Sequence, residues 1–354
     1  MFTDFPYGKS DFFWRNMKKN LQDSFGRKID YLRVSLTDAC NFRCIYCVQP
    51  GSVEKITADA ILTRDEILRF VGLAASLGIQ RIRLTGGEPL LRADILDIVR
   101  SIKAIGSISD LSITTNGSHL RPLLKPLKEA GLDRLNISLD ALDPIRFKKV
   151  TLSDAFVEVE RAFYEAVAIG FPVKLNVVAV KGLTYHEVLK FASIAKNYPV
   201  EVRFLEFMPL CGEAWNADFV IPIGVIKKMC HEHFSLIPEG ERGNRVAETY
   251  RMDGGKGRIG FIGSLTESFC DQCSRIRITA DGKIKPCLFS ETEVSVGALL
   301  KENAPDEEIL KALWQAAAIK PAGNMFREAP FNAETDYQSL GKPFTNVMMK
   351  SIGG

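Results

Sequence analysis

Six of the eight cysteines fall into two tight groups, Cys40/Cys44/Cys47 and Cys270/Cys273/Cys287, while Cys211 and Cys230 stand apart. The first group reads SLTDACNFRCIYC, a C-x3-C-x2-C spacing; the second reads FCDQCSRIRITADGKIKPC, or C-x2-C-x13-C. Each offers three thiolates, the ligand type that selects soft and borderline metals. A structural zinc site takes four protein ligands. Neither group has a fourth nearby: no His or Cys lies within 20 residues after Cys47, and His233 lies 37 residues before Cys270. Three thiolates suit an iron–sulfur cluster with one iron left open, although most clusters take four cysteines. An incomplete zinc site stays open as the alternative for each group. An open iron on a second cluster would give a place to hold a substrate heteroatom.

Charged residues within apolar runs are the second chemical signal. Arg33, Arg83 and Lys174 sit in strand-like segments, where a charge is costly unless it is paired. A polyphosphate would be a suitable partner, since Arg grips phosphate bidentately and Lys binds it as a point charge. The alternative is pairing with acids such as Glu201 and Glu206, or snorkelling. Arg275 and Arg277 are two apart and share a strand face, beside the second cysteine group.

These residues need elements to position them. Strands are expected at Tyr31–Leu36, Arg81–Leu84, Leu111–Thr114, Arg134–Leu139, Val173–Val180 and Val200–Phe207, with helical periodicity between them. Thr63 with Glu66 predicts a capping box at a helix start, and Gly78 its end. Thr184 with Glu187 predicts the same device again. The alternation implies parallel βα units. Six units are too few for a closed eight-stranded barrel, so the fold class is α/β, a partial (β/α)6 barrel. The first cysteine group falls at the carboxyl end of its first strand. Residues 1–30 form an N-terminal extension, 31–239 the barrel and 240–354 a smaller C-terminal region. In that region Ala280-Asp281-Gly282-Lys283 signals a hairpin turn, and a helix is expected near Asp306–Ala318.

The chain resembles the radical S-adenosylmethionine (SAM) enzymes, through CNFRCIYC with Tyr46 as its aromatic residue and Gly86-Gly87-Glu88-Pro89 further on. Within that superfamily it closely resembles the GTP 3′,8-cyclases of molybdenum cofactor biosynthesis. The matching blocks are LRVSLTDACNFRCIYC, RIRLTGGEPLLR, TTNG, LNISLDALDP, VKLNVV, RFLEFMP, FCDQCSRIRITADGKIKPCLF and the terminal Gly-Gly. The resemblance implies a TIM-like radical SAM barrel, two 4Fe–4S clusters and SAM, with Cys40, Cys44, Cys47, Cys270, Cys273 and Cys287 as ligands. It implies SAM contacts at Tyr46, Gly87, Ser138 and Met208. Its GTP contacts fall on Arg33, Arg83, Thr114, Lys174, Arg275 and Arg277. Arg275, Arg277 and a C-terminal Gly353–Gly354 tail reaching the site carry the catalytic roles. Two stretches depart from the family pattern: RFKKVTLSDAF after Pro144 is short and lacks a Gly-rich turn, and VQP follows the first cysteine motif.

The implied reaction removes the ribose C3′ hydrogen of GTP with an adenosyl radical derived from SAM; the carbon radical then attacks guanine C8, and an electron and a proton complete the product. The product is (8S)-3′,8-cyclo-7,8-dihydroguanosine 5′-triphosphate. A flavodoxin or ferredoxin would supply electrons, a cyclic pyranopterin monophosphate synthase would take the product onward, and the enzyme could form a homodimer. One rival is another radical SAM enzyme with an auxiliary cluster, acting on a peptide or tetrapyrrole; those usually carry more C-terminal cysteines. A zinc-binding interaction protein explains neither GGEP nor the strand cations.

Composition narrows the classes further. Forty-six per cent hydrophobic and 25% charged residues are ordinary globular values, which excludes a disordered or collagen-like chain. A net charge of +3 is too small to argue for nucleic acid or an anionic membrane as the main partner. The N-terminus lacks a secretory pattern, and no apolar run reaches spanning length. Sparse, grouped thiols point to a reducing compartment, so a cytoplasmic protein is expected.

Overall fold

A computed structural model of the chain describes residues 20–47, 56–210 and 215–324. The six expected strands form: β1 (Tyr31–Ser35), β2 (Arg81–Thr85), β3 (Asp110–Thr115), β4 (Arg134–Ser138), β5 (Val173–Ala179) and β6 (Glu201–Glu206). They pair parallel, each with its successor. The crossovers carry α1 (Arg64–Ser76), α2 (Ile95–Lys103), α3 (Leu124–Glu129), α4 (Pro144–Thr151), α5 (Phe156–Ala168) and α6 (Val188–Asn197). The capping box at Thr63 and Glu66 forms, and Gly78 follows α1 at φ +89°, a backbone angle that suits glycine.

The second expected capping box does not form. Thr184 Oγ1 instead donates to the carbonyls of Asp140 and Val178, and the Glu187 carboxylate accepts from Leu142 N. Buried loop amides and carbonyls take these side chains because their own backbone needs partners.

The chain after β6 lengthens the barrel sheet. It adds α7 (Ile223–His233), β7 (Leu236–Pro238), β8 (Glu248–Met252), β9 (Arg258–Ile262), β10 (Arg275–Ile278), β11 (Lys283–Lys285), β12 (Val294–Ser295), α8 (Gly297–Lys301) and α9 (Asp306–Ala318). β9 pairs parallel with β6, and β10 pairs parallel with β1. The sheet therefore runs β12-β11-β10-β1-β2-β3-β4-β5-β6-β9-β8-β7, with β9 and β10 not bonded to each other. Its two edges are β12 and β7, which are not bonded to each other, so the barrel stays open.

Burial alternates along the strands. In β5, Val173, Leu175, Val177 and Ala179 are buried while Lys174, Asn176 and Val178 are half-buried. In β6, Val202, Phe204 and Glu206 are buried while Glu201, Arg203 and Leu205 are not. Apolar side chains on one face pack under the helices, and the other face is lined by polar groups around a cavity.

Candidate active site

Strand direction puts the two cysteine groups at opposite ends of the barrel. Cys40, Cys44 and Cys47 follow β1, at its carboxyl end. Cys270 and Cys273 precede β10, which runs parallel to β1, and so lie at the amino end. The 13-residue spacer is explained by the hairpin: β10 runs out, Gly282 turns at φ +79°, and antiparallel β11 returns. Cys287 thereby comes back beside Cys270 and Cys273. A cavity of about 1300 Å³, counting its mouth, reaches from Tyr46, Ser138 and Met208 to all three thiols of the second group.

The first cysteine loop is held from two sides. On one side the GGEP loop bonds to it: Gly87 N donates to Thr37 O at 2.6 Å, and Glu88 N to Ala39 O at 2.7 Å. A Cβ on Gly87 would stand 2.0 Å from Ala39 O, so only glycine permits this approach. On the other side, Arg43 N and Ile45 N donate to the carbonyls of Thr151 and Val150 at the end of α4. Those carbonyls have no partners within the helix. The chain leaves α4 through Leu152 at φ +52°, which makes a left-handed turn without the glycine that the segment lacks.

Glu88 and Asp140 are buried carboxyls that act on this group. Glu88 accepts from Leu90 N, Thr115 Oγ1 and Asn116 N at 3.0, 2.7 and 2.7 Å. Burial nevertheless pushes it up to about 7. Asp140 accepts from Tyr46 OH at 2.6 Å and Val178 N at 2.8 Å, and burial raises it to about 6. Burial also raises the Cys40 and Cys44 thiols.

The second group has cationic surroundings. Burial alone would raise the Cys273 thiol, but Arg275 and then Lys320 outweigh it and bring the thiol down to about 6. Arg275 Nη2 donates to Cys273 Sγ at 3.4 Å, and its guanidinium lies 4.8 Å from the Phe269 ring centroid. Lys320, 3% exposed, donates to Arg275 O at 2.8 Å and Pro286 O at 2.7 Å. Arg27 bonds the carbonyls of Cys270, Pro321 and Ala322 at 2.7, 2.5 and 2.8 Å, which ties the cysteine loop to the segment after α9.

Between the two ends runs a row of cations. Register aligns Arg83 with Arg33 on β1, and Arg33 with Arg277 on β10. Adjacent strands lie about 4.8 Å apart, so the three guanidinium stems stand on consecutive strands at one level. Burial first, together with neighbouring cations, lowers Arg33 and Arg83 to about 9 and Arg277 to about 10. Buried Arg83 Nε and Thr114 Oγ1 meet no hydrogen-bond partner among the described residues. A cluster of like charges with open donors fits a polyanion.

Arg33, Arg83, Thr114, Arg275, Arg277, Tyr46, Ser138 and Met208 all line this cavity. Lys174 does not. It pairs with Glu201 at 2.8 Å and lines a neighbouring cavity at the amino ends of β4, β5, β6 and β9. Burial lowers Lys174 to about 8, and Arg203 and then Lys174 hold Glu201 down to about 2 despite its burial. Gly87 is not among the lining residues; it seats the first cysteine loop. Gly353, Gly354 and Cys211 lie outside the described residues. Arg203, Lys320 and Asn324 line the cavity without having been singled out from the sequence. Arg203 follows the same rule as Arg33, a charge in an apolar strand; Lys320 and Asn324 carry no such signal.

The donor sets fit iron–sulfur clusters. Among the described residues no cysteine forms a disulfide. Among the described residues no three His, Cys, Asp or Glu side chains stand close enough to grip a single ion, whereas a four-iron cube spreads its thiolates wider.

Comparison with known proteins bears on both halves. Residues 34–195 match the Radical SAM superfamily, and residues 200–326 match the family described as Molybdenum Cofactor Synthesis C. The GTP 3′,8-cyclase of Syntrophomonas wolfei is 41% identical over 85% of this chain and 93% of its own length. That of Listeria monocytogenes is 39% identical over 94% of this chain and 99% of its own. Among solved structures, Streptococcus suis SuiB bound to the precursor peptide SuiA matches with a TM-score of 0.57 at 14% identity. That match covers 90% of this chain and 70% of SuiB. At that identity it speaks for the fold alone.

Proposed function

The chain belongs to the GTP 3′,8-cyclase family of radical SAM enzymes, and we propose that GTP is cyclised in the cavity between its two cysteine groups. The enzyme converts GTP to (8S)-3′,8-cyclo-7,8-dihydroguanosine 5′-triphosphate, the first step of molybdenum cofactor biosynthesis. Its cofactors are two 4Fe–4S clusters and SAM. The observation that carries the site assignment is one cavity with thiols at one end, the SAM-side residues at the other and a row of arginines between.

Cys40, Cys44 and Cys47 would hold the first cluster, with Tyr46, Ser138 and Met208 around SAM and Gly87 seating the cysteine loop beside it. That cluster with SAM supplies the power to take a hydrogen atom from an unactivated carbon. Tyr46 is fixed for its role by its hydrogen bond to Asp140. Arg33, Arg83 and Arg277 neutralise the phosphates and orient the ribose, with Thr114 Oγ1 open to bond substrate. Arg203 lines the cavity and shares Glu201 with Lys174, so a phosphate tail reaching Arg203 would draw on Lys174 as well. Cys270, Cys273 and Cys287 would hold the second cluster, and Arg275 beside Cys273 keeps that end cationic.

Gly353 and Gly354 are proposed to enter the site as a side-chain-free tip, and truncating them tests that. A flavodoxin or ferredoxin as reductant, a downstream cyclic pyranopterin monophosphate synthase and a homodimer complete the proposal. Among the described residues no helix is long and apolar enough to cross a membrane. The test is an anaerobic assay of the reconstituted enzyme with GTP, SAM and reductant. Joint formation of 5′-deoxyadenosine and the cyclised nucleotide is expected. SAM cleavage that never yields cyclised nucleotide from GTP would reject the assignment.

A further inference from the structure

Asn324 lies on the short segment after α9 and is 8% exposed. It lines the cavity beside the second cysteine group. Its Nδ2 donates to Ser264 O at 2.8 Å. A carbonyl can only accept, so this bond fixes which way the amide points. Oδ1 is thereby turned away from Ser264 and meets no donor among the described residues. A buried acceptor left without a partner costs free energy and calls for an explanation.

The segment that carries Asn324 is itself held in place. Lys320, four residues earlier, is bonded to Arg275 O and Pro286 O, and Arg27 holds Pro321 O and Ala322 O against Cys270 O. The segment is therefore seated on the second cysteine loop before any ligand arrives. Its neighbours on the cavity wall, Arg275 and Lys320, are donors. Phosphates bring acceptors, which those cations satisfy, and have no use for one more acceptor. A guanine edge brings N–H donors, and its exocyclic 2-amino group projects furthest from the ring.

We propose that Asn324 Oδ1 accepts a hydrogen bond from the guanine 2-amino group and makes the site selective for guanine over hypoxanthine. The inference rests on GTP being the substrate of this cavity. Asn324 then acts as a specificity residue, placed by Lys320 and Arg27 and aimed by Ser264. A site that hydrogen-bonds a substrate N–H discriminates against the analogue lacking it, because its own polar atom is left unpaired.

The test measures equilibrium binding of GTP and ITP, which lacks only the 2-amino group, to the anaerobic holoenzyme and two variants. Iron content and SAM binding are checked alongside. Wild type should bind GTP about tenfold more tightly than ITP, the worth of one buried hydrogen bond. Asn324→Ala should bind the two nucleotides alike, with the loss falling on GTP. Asn324→Leu keeps the volume without the acceptor and should likewise lose the preference. Equal binding of GTP and ITP by wild type would overturn the proposal. So would a preference retained by either variant, or parallel losses for both nucleotides. Should Asn324→Ala lose its iron, the wild-type ratio and Asn324→Leu decide the matter. A wild-type holoenzyme that neither binds nor cyclises GTP would instead remove the substrate reading itself.

Discussion

The two cysteine groups present the same three thiols in opposite electrostatic surroundings. Around the first, burial raises Cys40 and Cys44, with Arg43 offsetting part of the effect at Cys40, while the buried acids Glu88 and Asp140 add to the rise. Around the second, Arg275 and Lys320 outweigh burial and hold Cys273 near 6. Donor count alone therefore does not set what a site does. The neighbours do, because hydrogen bonds and charge around a cluster tune its potential. A group set among buried acids is suited to giving up an electron; one set among cations is suited to holding an anionic nucleotide.

The sharpest way to break the comparison is to remove one half. Replacing Cys270, Cys273 and Cys287 by Ser should abolish cyclisation while SAM cleavage persists. About four of the expected eight irons should remain, measured with 5′-deoxyadenosine and cyclised nucleotide in one assay. Complete loss of iron would mean that the two sites are not independent. Gly87→Ala is the mirror experiment. A methyl group 2.0 Å from Ala39 O must push the GGEP loop off the first cysteine loop. The expected result is loss of the first cluster and of SAM cleavage with the second cluster retained, read from iron content and electron paramagnetic resonance.

Smaller effects sharpen the picture of what lies between. Arg83→Ala should cost about 1.5–3 kcal/mol of GTP binding, a charge-assisted contact, and leave SAM binding unchanged. Equal losses for both ligands in calorimetry would place Arg83 with the cofactor instead. The smallest effect is on the scaffold. Leu152 is 61% exposed and held at φ +52°, so Leu152→Gly should raise unfolding stability by about 1 kcal/mol. A lower melting temperature would show that the turn owes nothing to backbone strain.

Much of this was legible in the sequence, and the remainder has physical reasons. The strands, the Thr63 capping box and the turn at Gly282 are local signals, and local chemistry decides them. The parallel pairing of β10 with β1 is not local, so RIRI reads as half of a hairpin and nothing in it announces a barrel strand. The same gap hides the cation row. Arg33, Arg83 and Arg277 each stand out as charges in apolar segments, but only the register sets them side by side. Thr184 and Glu187 carry a capping pattern that buried loop groups claim instead. Lys320 and Asn324 follow α9 in an irregular segment with no periodicity, and only the tertiary contacts bring them to the site.

The most direct measurement is a potentiometric titration followed by electron paramagnetic resonance on two holoenzyme variants, each retaining a single cluster. The cationic surroundings of Cys270, Cys273 and Cys287 favour the more negative, reduced state of whatever they hold. That cluster should therefore titrate at a less negative potential than the one held by Cys40, Cys44 and Cys47. Lys320→Met should move its potential downward and leave the other in place. Equal potentials, or the reverse order, would contradict the account.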